Sequence, residues 1–120
     1  MALLTVQAVD KDGISLTMVT PTASTGDTFV ASDDQRHAIV AVNGSGSPVN
    51  VTVTAQLENA LQQGVGNVAV ADIVHAVAAG AVAVIPVMPA FIRTNDGVVQ
   101  FVVSSVTDVD VAVMRLPRLV

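Results

Sequence analysis

Between Ala38 and Ala55 the chain reads AIVAVNGSGSPVNVTVTA. Two apolar runs flank the polar linker Asn43-Gly44-Ser45-Gly46-Ser47-Pro48. In the second run Val49, Val51 and Val53 alternate with Asn50, Thr52 and Thr54. That is the period-2 pattern of a strand with one face in a core and the other in water. The linker combines glycine, serine, asparagine and proline, so the segment predicts a β-hairpin.

The same reading extends in both directions. Leu3 to Val9 predicts a first strand or an extended N-terminal arm covering residues 1–9. Asp10-Lys11-Asp12-Gly13 is a turn, and Ile14 to Thr20 a second strand stopped by Pro21. Thr22 to Gly26 is loop-like, Asp27 to Val30 is a short strand or a loop anchored by Phe29, and Ser32 to Gln35 is a turn. After Ala55 the spacing of Leu57, Ala60 and Leu61, with Gly64 behind them, fits one short helix near residues 57–63 as well as a long loop. Val68 to Val70 reads as a short strand. Ile73 to Val77 and Ala81 to Ile85 flank a tight turn at Ala78-Ala79-Gly80. Both are apolar on both faces, as in a buried pair or a subunit interface. Pro86 and Pro89 put this segment at a sheet edge or at a bend between sheets. Thr94-Asn95-Asp96-Gly97 predicts a second hairpin turn before the strand Val98 to Ser104. In the last strand Val109, Val111, Val113 and Arg115 share one face, and Asp110, Ala112, Met114 and Leu116 the other. About eight short strands with frequent turn signals predict an all-β, single-domain antiparallel β-sandwich, jelly-roll-like, over residues 1–120.

Composition sharpens this picture. The 120 residues are 52% hydrophobic but only 2% aromatic, with no Trp, Tyr or Cys, so valine, alanine, leucine and isoleucine must fill the core around Phe29, Phe91 and Phe101. Charged residues make up 12%, where a soluble domain has about 25%. So few charges imply spare apolar surface, and therefore an oligomer or a docking face. The net charge of -5, with five scattered basic residues, disfavours nucleic acid as a partner. The start lacks the pattern of a signal peptide. The apolar run Ile73 to Ile92 is long enough to span a membrane. His75, Gly80, Pro86 and Pro89 interrupt it, and its halves have strand patterning, so no membrane span is expected.

Candidate chemistry is sparse. Two separated histidines, His37 and His75, and no cysteine do not make a zinc site. Asp10/Asp12, Asp33/Asp34 and Asp108/Asp110 suit turns, and Asp10 to Gly13 lacks the later ligands of a calcium loop. A calcium ion at a subunit junction is left open. Gly44 to Ser47 is not a nucleophile elbow, and Gly64-Val65-Gly66 lacks the lysine of a phosphate loop. No nucleophile–base pair is visible, so no enzymatic activity, cofactor or metal is expected.

Four segments together resemble the small head proteins of tailed bacteriophages, especially capsid decoration (cement) proteins. They are Leu4-Thr5-Val6-Gln7-Ala8-Val9 before an Asp/Gly turn, and Gly26-Asp27-Thr28-Phe29 leading to AIVAVNGSGSPVNVTVTA. The others are Ala79-Gly80 followed by an apolar strand reaching Pro89 and Phe91, and Val109 to Leu116 at the end. The segment Leu57 to Asn67 is longer than that pattern expects. The resemblance implies a non-enzymatic virion protein on the outer capsid surface, assembled in the host cytoplasm, with the major capsid protein and itself as partners and a homotrimer as its form. The acidic balance suits an outer surface. The apolar termini supply the expected contacts: Ala2, Leu3 and Leu4 at the start, and Leu116, Leu119 and Val120 at the end, with Arg118 as a charge partner. The alternatives are another phage structural component, such as a head–tail connector or tail protein, and a small-ligand or sugar-binding β-module. The absence of Trp and Tyr weighs against the sugar module.

Overall fold

A computed structural model describes residues 2–9, 12–31, 37–55, 59–62, 66–69, 71–87 and 97–116. Its elements are β1 (Ala2–Leu3), β2 (Val6–Ala8), β3 (Asp27–Val30), β4 (His37–Asn43), β5 (Val49–Val53), β6 (Asn59–Gln62), β7 (Gly66–Ala69), β8 (Ile73–Val77), β9 (Val82–Pro86), β10 (Val98–Val103) and β11 (Val109–Arg115). They form a five-stranded sheet in the order β1-β3-β10-β5-β8, a four-stranded sheet in the order β2-β11-β4-β9, and the separate pair β6-β7. The fold is an all-β sandwich.

Its logic is a set of nested antiparallel pairs. β3 pairs with β10, β4 with β9, β5 with β8, and β6 with β7. Outside the β6–β7 pair, successive strands alternate between the two layers. β11 then adds to the free side of β4.

The nesting overturns the most prominent local expectation. The runs on either side of Asn43 to Pro48 are strands, but β4 and β5 lie in different sheets. The linker is therefore an arch between layers and not a hairpin turn. The turn at Ala78 to Gly80 likewise joins two sheets, since β8 and β9 belong to different layers. Local turn chemistry reverses the chain in either case, so it does not distinguish a hairpin from an arch.

Three further expectations change. The helical spacing at 57–63 is overridden: Asn59–Gln62 is strand β6, paired antiparallel with β7. Leu57, Glu58 and Gln63 lie outside the described residues. Ile14 to Thr20 forms no strand, and its one backbone bridge to the sheet joins Val19 to Val111. The sheets are mixed, because β1 runs parallel to β3 and β2 parallel to β11. The turn Ser32 to Gln35 and the hairpin turn at 94–96 lie outside the described residues. Among the described residues no helix is long and apolar enough to cross a membrane, and residues 73–77 and 82–86 are strands.

The core lies between the two sheets. Phe29 and Phe101, 6.3 Å apart between ring centroids, fill it from the five-stranded sheet together with Val49, Val51, Val53, Val99 and Val103. Ile39, Ala41, Ile85, Val109, Val111 and Val113 meet them from the other layer. The alternation read from the sequence holds here: Val49, Val51 and Val53 are buried, and so are Val109, Val111 and Val113. Pro86 pairs with Ala38 on the edge strand β9, as that proline indicated, while Pro89 and Phe91 lie outside the described residues. Gly26 has φ +77°, and a Cβ there would collide with the Phe101 carbonyl, so only glycine lets this loop lie on β10.

Candidate interaction surface

Two of the buried polar side chains, Asp27 and Asn43, hold loops. Asp27, buried at the start of β3, accepts hydrogen bonds from the Thr22 amide (2.9 Å) and hydroxyl (2.7 Å), closing the loop between them. Asn43, buried at the end of β4, holds one end of the molecule together. Its Nδ2 donates to the carbonyls of Ser47 (2.8 Å), Val77 (3.0 Å) and Ala78 (3.3 Å). Its Oδ1 accepts from the Ser45 amide (3.0 Å) and hydroxyl (2.6 Å). The arch and the β8–β9 turn are thus tied to one side chain, and the Gly44 amide ties the β10–β11 loop to them through the Asp108 carbonyl (2.8 Å). The Ser45 hydroxyl of this glycine-rich linker donates to Asn43 Oδ1 and the Ser47 carbonyl. Asp72 accepts from the Ala55 amide (2.8 Å). His37 is buried with its ring 6.0 Å from that of Phe29, while His75 is exposed on β8. Among the described residues no three His, Cys, Asp or Glu side chains converge as metal ligands would.

What the surface does offer is apolar area on two opposite flanks. The first is built by the N-terminal arm. β1 extends the five-stranded sheet, the Leu4 amide donates to the Thr28 carbonyl (2.7 Å), and β2 then joins β11 in the other sheet. The arm therefore crosses from layer to layer at Leu4 and Thr5. Leu4 and Val6 pack on the core, whereas Leu3 is 69% exposed. The Gln7 amide group grips the Thr17 backbone, donating to its carbonyl (2.9 Å) and accepting from its amide (2.8 Å). Val19 and Val111 exchange backbone hydrogen bonds of 2.8 Å. Between these segments lies a groove of about 340 Å³, with Leu3, Leu4, Thr17, Val19 and Ala112 in its walls.

The expected contact residues are partly brought together here. Ala2 and Leu3 are exposed at the start of the arm, and Leu4 is half-buried. Leu116, 45% exposed, lies at the other end of β2, where the Val9 amide donates to the Arg115 carbonyl (2.8 Å). Arg118, Leu119 and Val120 lie outside the described residues.

The second flank is the β8–β9 side, away from the terminal segments. Its signal was present in the sequence: residues 73–92 contain no Asp, Glu, Lys or Arg. Val74, Val82 and Val84 are 60%, 62% and 55% exposed. The outward faces of the two sheets also differ. In the five-stranded sheet Thr28, Asn50, Thr52 and Gln100 face outward among the apolar Val30, Val74, Ala76, Val98 and Val102. In the four-stranded sheet the outward positions are Ala38, Val40, Val42, Val82, Val84, Ala112 and Met114, with Asp110 at one end. The middle of that face is buried, and its exposure is concentrated at β9. Such an apolar, uncharged strip at a sheet edge has the character of a protein contact surface.

No family model, no curated protein and no solved structure matches this chain.

Proposed function

We propose that this chain is a non-enzymatic structural protein of a tailed-phage head. In this reading it self-associates, as a trimer, and binds the outer surface of the capsid shell as a decoration protein, with the major capsid protein as its partner. The observation that carries the reading is the pairing of apolar flanks with buried Asp27 and Asn43, two of the three buried polar side chains among the described residues, which are committed to fixing loops. A protein of this kind offers surface rather than chemistry. The resemblance of its segments to small head proteins supplies the identity of the shell. Binding is multivalent: an oligomer touches several shell subunits at once, so weak contacts add through effective concentration. The net charge of -5 keeps the protein away from packaged nucleic acid and suits the outside of the shell.

Cosedimentation with empty heads of the virus that encodes the chain tests this. The expected result is saturable binding at a fixed ratio to the shell subunit, lost on deletion of residues 1–5. Absence of binding to these heads at any protein excess refutes the reading. Binding only at the portal vertex assigns the chain to the head–tail junction instead.

A further inference from the structure

Asn43-Gly44 is the one place in the chain where asparagine precedes glycine. Asn50, Asn59, Asn67 and Asn95 precede valine, alanine, valine and aspartate. In a free chain such a pair is chemically unstable. Glycine has no side chain to shield its amide, so the Gly44 nitrogen reaches the Asn43 side chain easily. Once base has taken its proton, that nitrogen attacks Cγ. The new N–Cγ bond closes a succinimide ring, the Cγ–Nδ2 bond breaks, and Nδ2 leaves as ammonia with a proton from water. Water then opens the ring at either carbonyl, giving aspartate or isoaspartate. The net change is a water consumed and an ammonia released.

The fold holds every group that this step needs. The Gly44 amide donates to the Asp108 carbonyl (2.8 Å), which shields its proton from base. The leaving nitrogen, Nδ2, donates to Ser47, Val77 and Ala78, and Oδ1 accepts from Ser45. The Asn43 carbonyl, whose carbon belongs to the ring, accepts from the Gly80 amide (2.8 Å). Asn43 is the last residue of β4, and an extended backbone keeps Cγ out of the plane that ring closure requires. The residue is 1% exposed, so water and base are excluded as well. These partners come from the arch, the β8–β9 turn and the β10–β11 loop. Freeing the site therefore means opening that whole end of the sandwich, and not fraying a single loop.

Neither product rebuilds the tie. Aspartate replaces the donor of three hydrogen bonds by a carboxylate facing carbonyls. Isoaspartate adds a carbon to the main chain at the end of β4. We infer that Asn43-Gly44 is a deamidation site closed by the fold, so that a chain left unfolded is converted into one that no longer closes this end of the molecule. Unfolding then becomes irreversible with time and with rising pH, through chemistry rather than aggregation.

The full chain is held at mildly alkaline pH in buffer and in guanidinium chloride. Conversion at each asparagine is read by peptide mass spectrometry, with chromatography to separate aspartyl from isoaspartyl forms. In denaturant Asn43 is expected to convert first of the five asparagines. Gly44→Ala is expected to slow that conversion by about tenfold or more, because a side chain crowds the attacking amide. In buffer, conversion of the wild type at Asn43 is expected to be slower by about a hundredfold or more, because it waits for the open fraction. Refolding yield is expected to fall in step with conversion, and to be kept by chains held unfolded at mildly acidic pH, where the Gly44 amide retains its proton. Asn43→Asp supplies one product directly and is expected to unfold at a lower denaturant midpoint at neutral pH. The inference is overturned if Asn43 converts as fast in the folded protein as in denaturant. It is equally overturned if the converted chain and Asn43→Asp unfold at the wild-type midpoint, or if refolding yield falls as much at acidic pH, which would give irreversibility another cause.

Discussion

Replacing Asn43 by alanine removes five hydrogen bonds at one end of the sandwich and leaves the strand itself in place. The backbone bonds of residue 43 to Gly80 and Ala81 do not depend on its side chain. The cost lies in the groups left behind. The Val77 carbonyl bond is buried, and losing its donor costs about 1–3 kcal/mol. The carbonyls of Ser47 and Ala78 and the amide of Ser45 are nearer to solvent, and each loses about 0.5–1 kcal/mol net. The expected total is about 3–5 kcal/mol, a large share of the roughly 5–15 kcal/mol that holds a domain of this size together. Urea titration at fixed protein concentration measures it, as a lower midpoint with an unchanged slope. A second variant isolates the donor role. Asn43→Asp keeps an acceptor for Ser45 but sets a carboxylate against the carbonyls of Val77, Ala78 and Ser47. Those carbonyls disfavour its charged form, so its carboxyl titrates higher in the folded state than in the unfolded chain. Between the two values the folded state binds more protons, so stability falls as pH rises. Relative to alanine at each pH, Asn43→Asp is therefore expected to be worse at neutral pH and to recover on acidification. An alanine cost below about 1 kcal/mol, or an aspartate deficit that does not change with pH, refutes the account of Asn43 as the tie between arch and turn.

Three further outcomes follow from the packing. Gly26→Ala combines a positive φ with a collision at the Phe101 carbonyl, and thermal melts are expected to show a loss of about 2–4 kcal/mol. Val111→Ala removes a fully buried side chain from the middle of β11 and is expected to cost about 2–3 kcal/mol, read by the same melts. Gln7→Ala breaks both bonds to Thr17 on an exposed surface. It is expected to cost no more than about 1 kcal/mol globally, while hydrogen exchange at the Thr17 amide rises well above that of the core strands.

The strands were legible because valine alternation is a local property. Val49-Asn50-Val51-Thr52-Val53 declares its buried face without reference to its partner, and β11 does the same. Their connections were not legible. Asn43 to Pro48 satisfies every rule for a hairpin turn, yet β5 hydrogen-bonds β10 and β8, far away in sequence, and β4 bonds β11 and β9. Partner choice in a nested roll depends on which distant strand completes a core, information that no short window carries. The helix-like spacing at Leu57, Ala60 and Leu61 failed for a related reason. A helix that short is marginal alone, and strand pairing with β7 takes its place. The exposed apolar surface was half legible. Apolar termini drew attention to the arm, whose Leu3 is indeed exposed. The uncharged run from Ile73 to Ile92 suggested burial or an interface, and which of its residues face solvent emerged only from their place on an edge.

The two flanks differ in a way that bears on how copies can meet. The arm flank is closed by its own chain. β2 is three residues long, runs parallel to β11, and is overlaid by the segment around Thr17 through the Gln7 side chain. A neighbour's strand finds little edge there, although it finds Leu3 and a groove. The β8–β9 flank is the reverse: two five-residue strands, exposed valines and no charged residue to deter pairing. A protein that uses unlike surfaces on its two sides makes head-to-tail contacts, which close into a ring if the rotation allows it. Like surfaces meeting across a two-fold axis would need only one of them. The distinction is measurable by lysine substitution on each side. In a head-to-tail ring, Val84→Lys and Leu3→Lys each abolish the oligomer, but an equimolar mixture of the two recovers a heterodimer through the one intact interface. If Leu3→Lys alone keeps the full oligomer, the β8–β9 flank pairs with its own copy and the ring geometry is wrong.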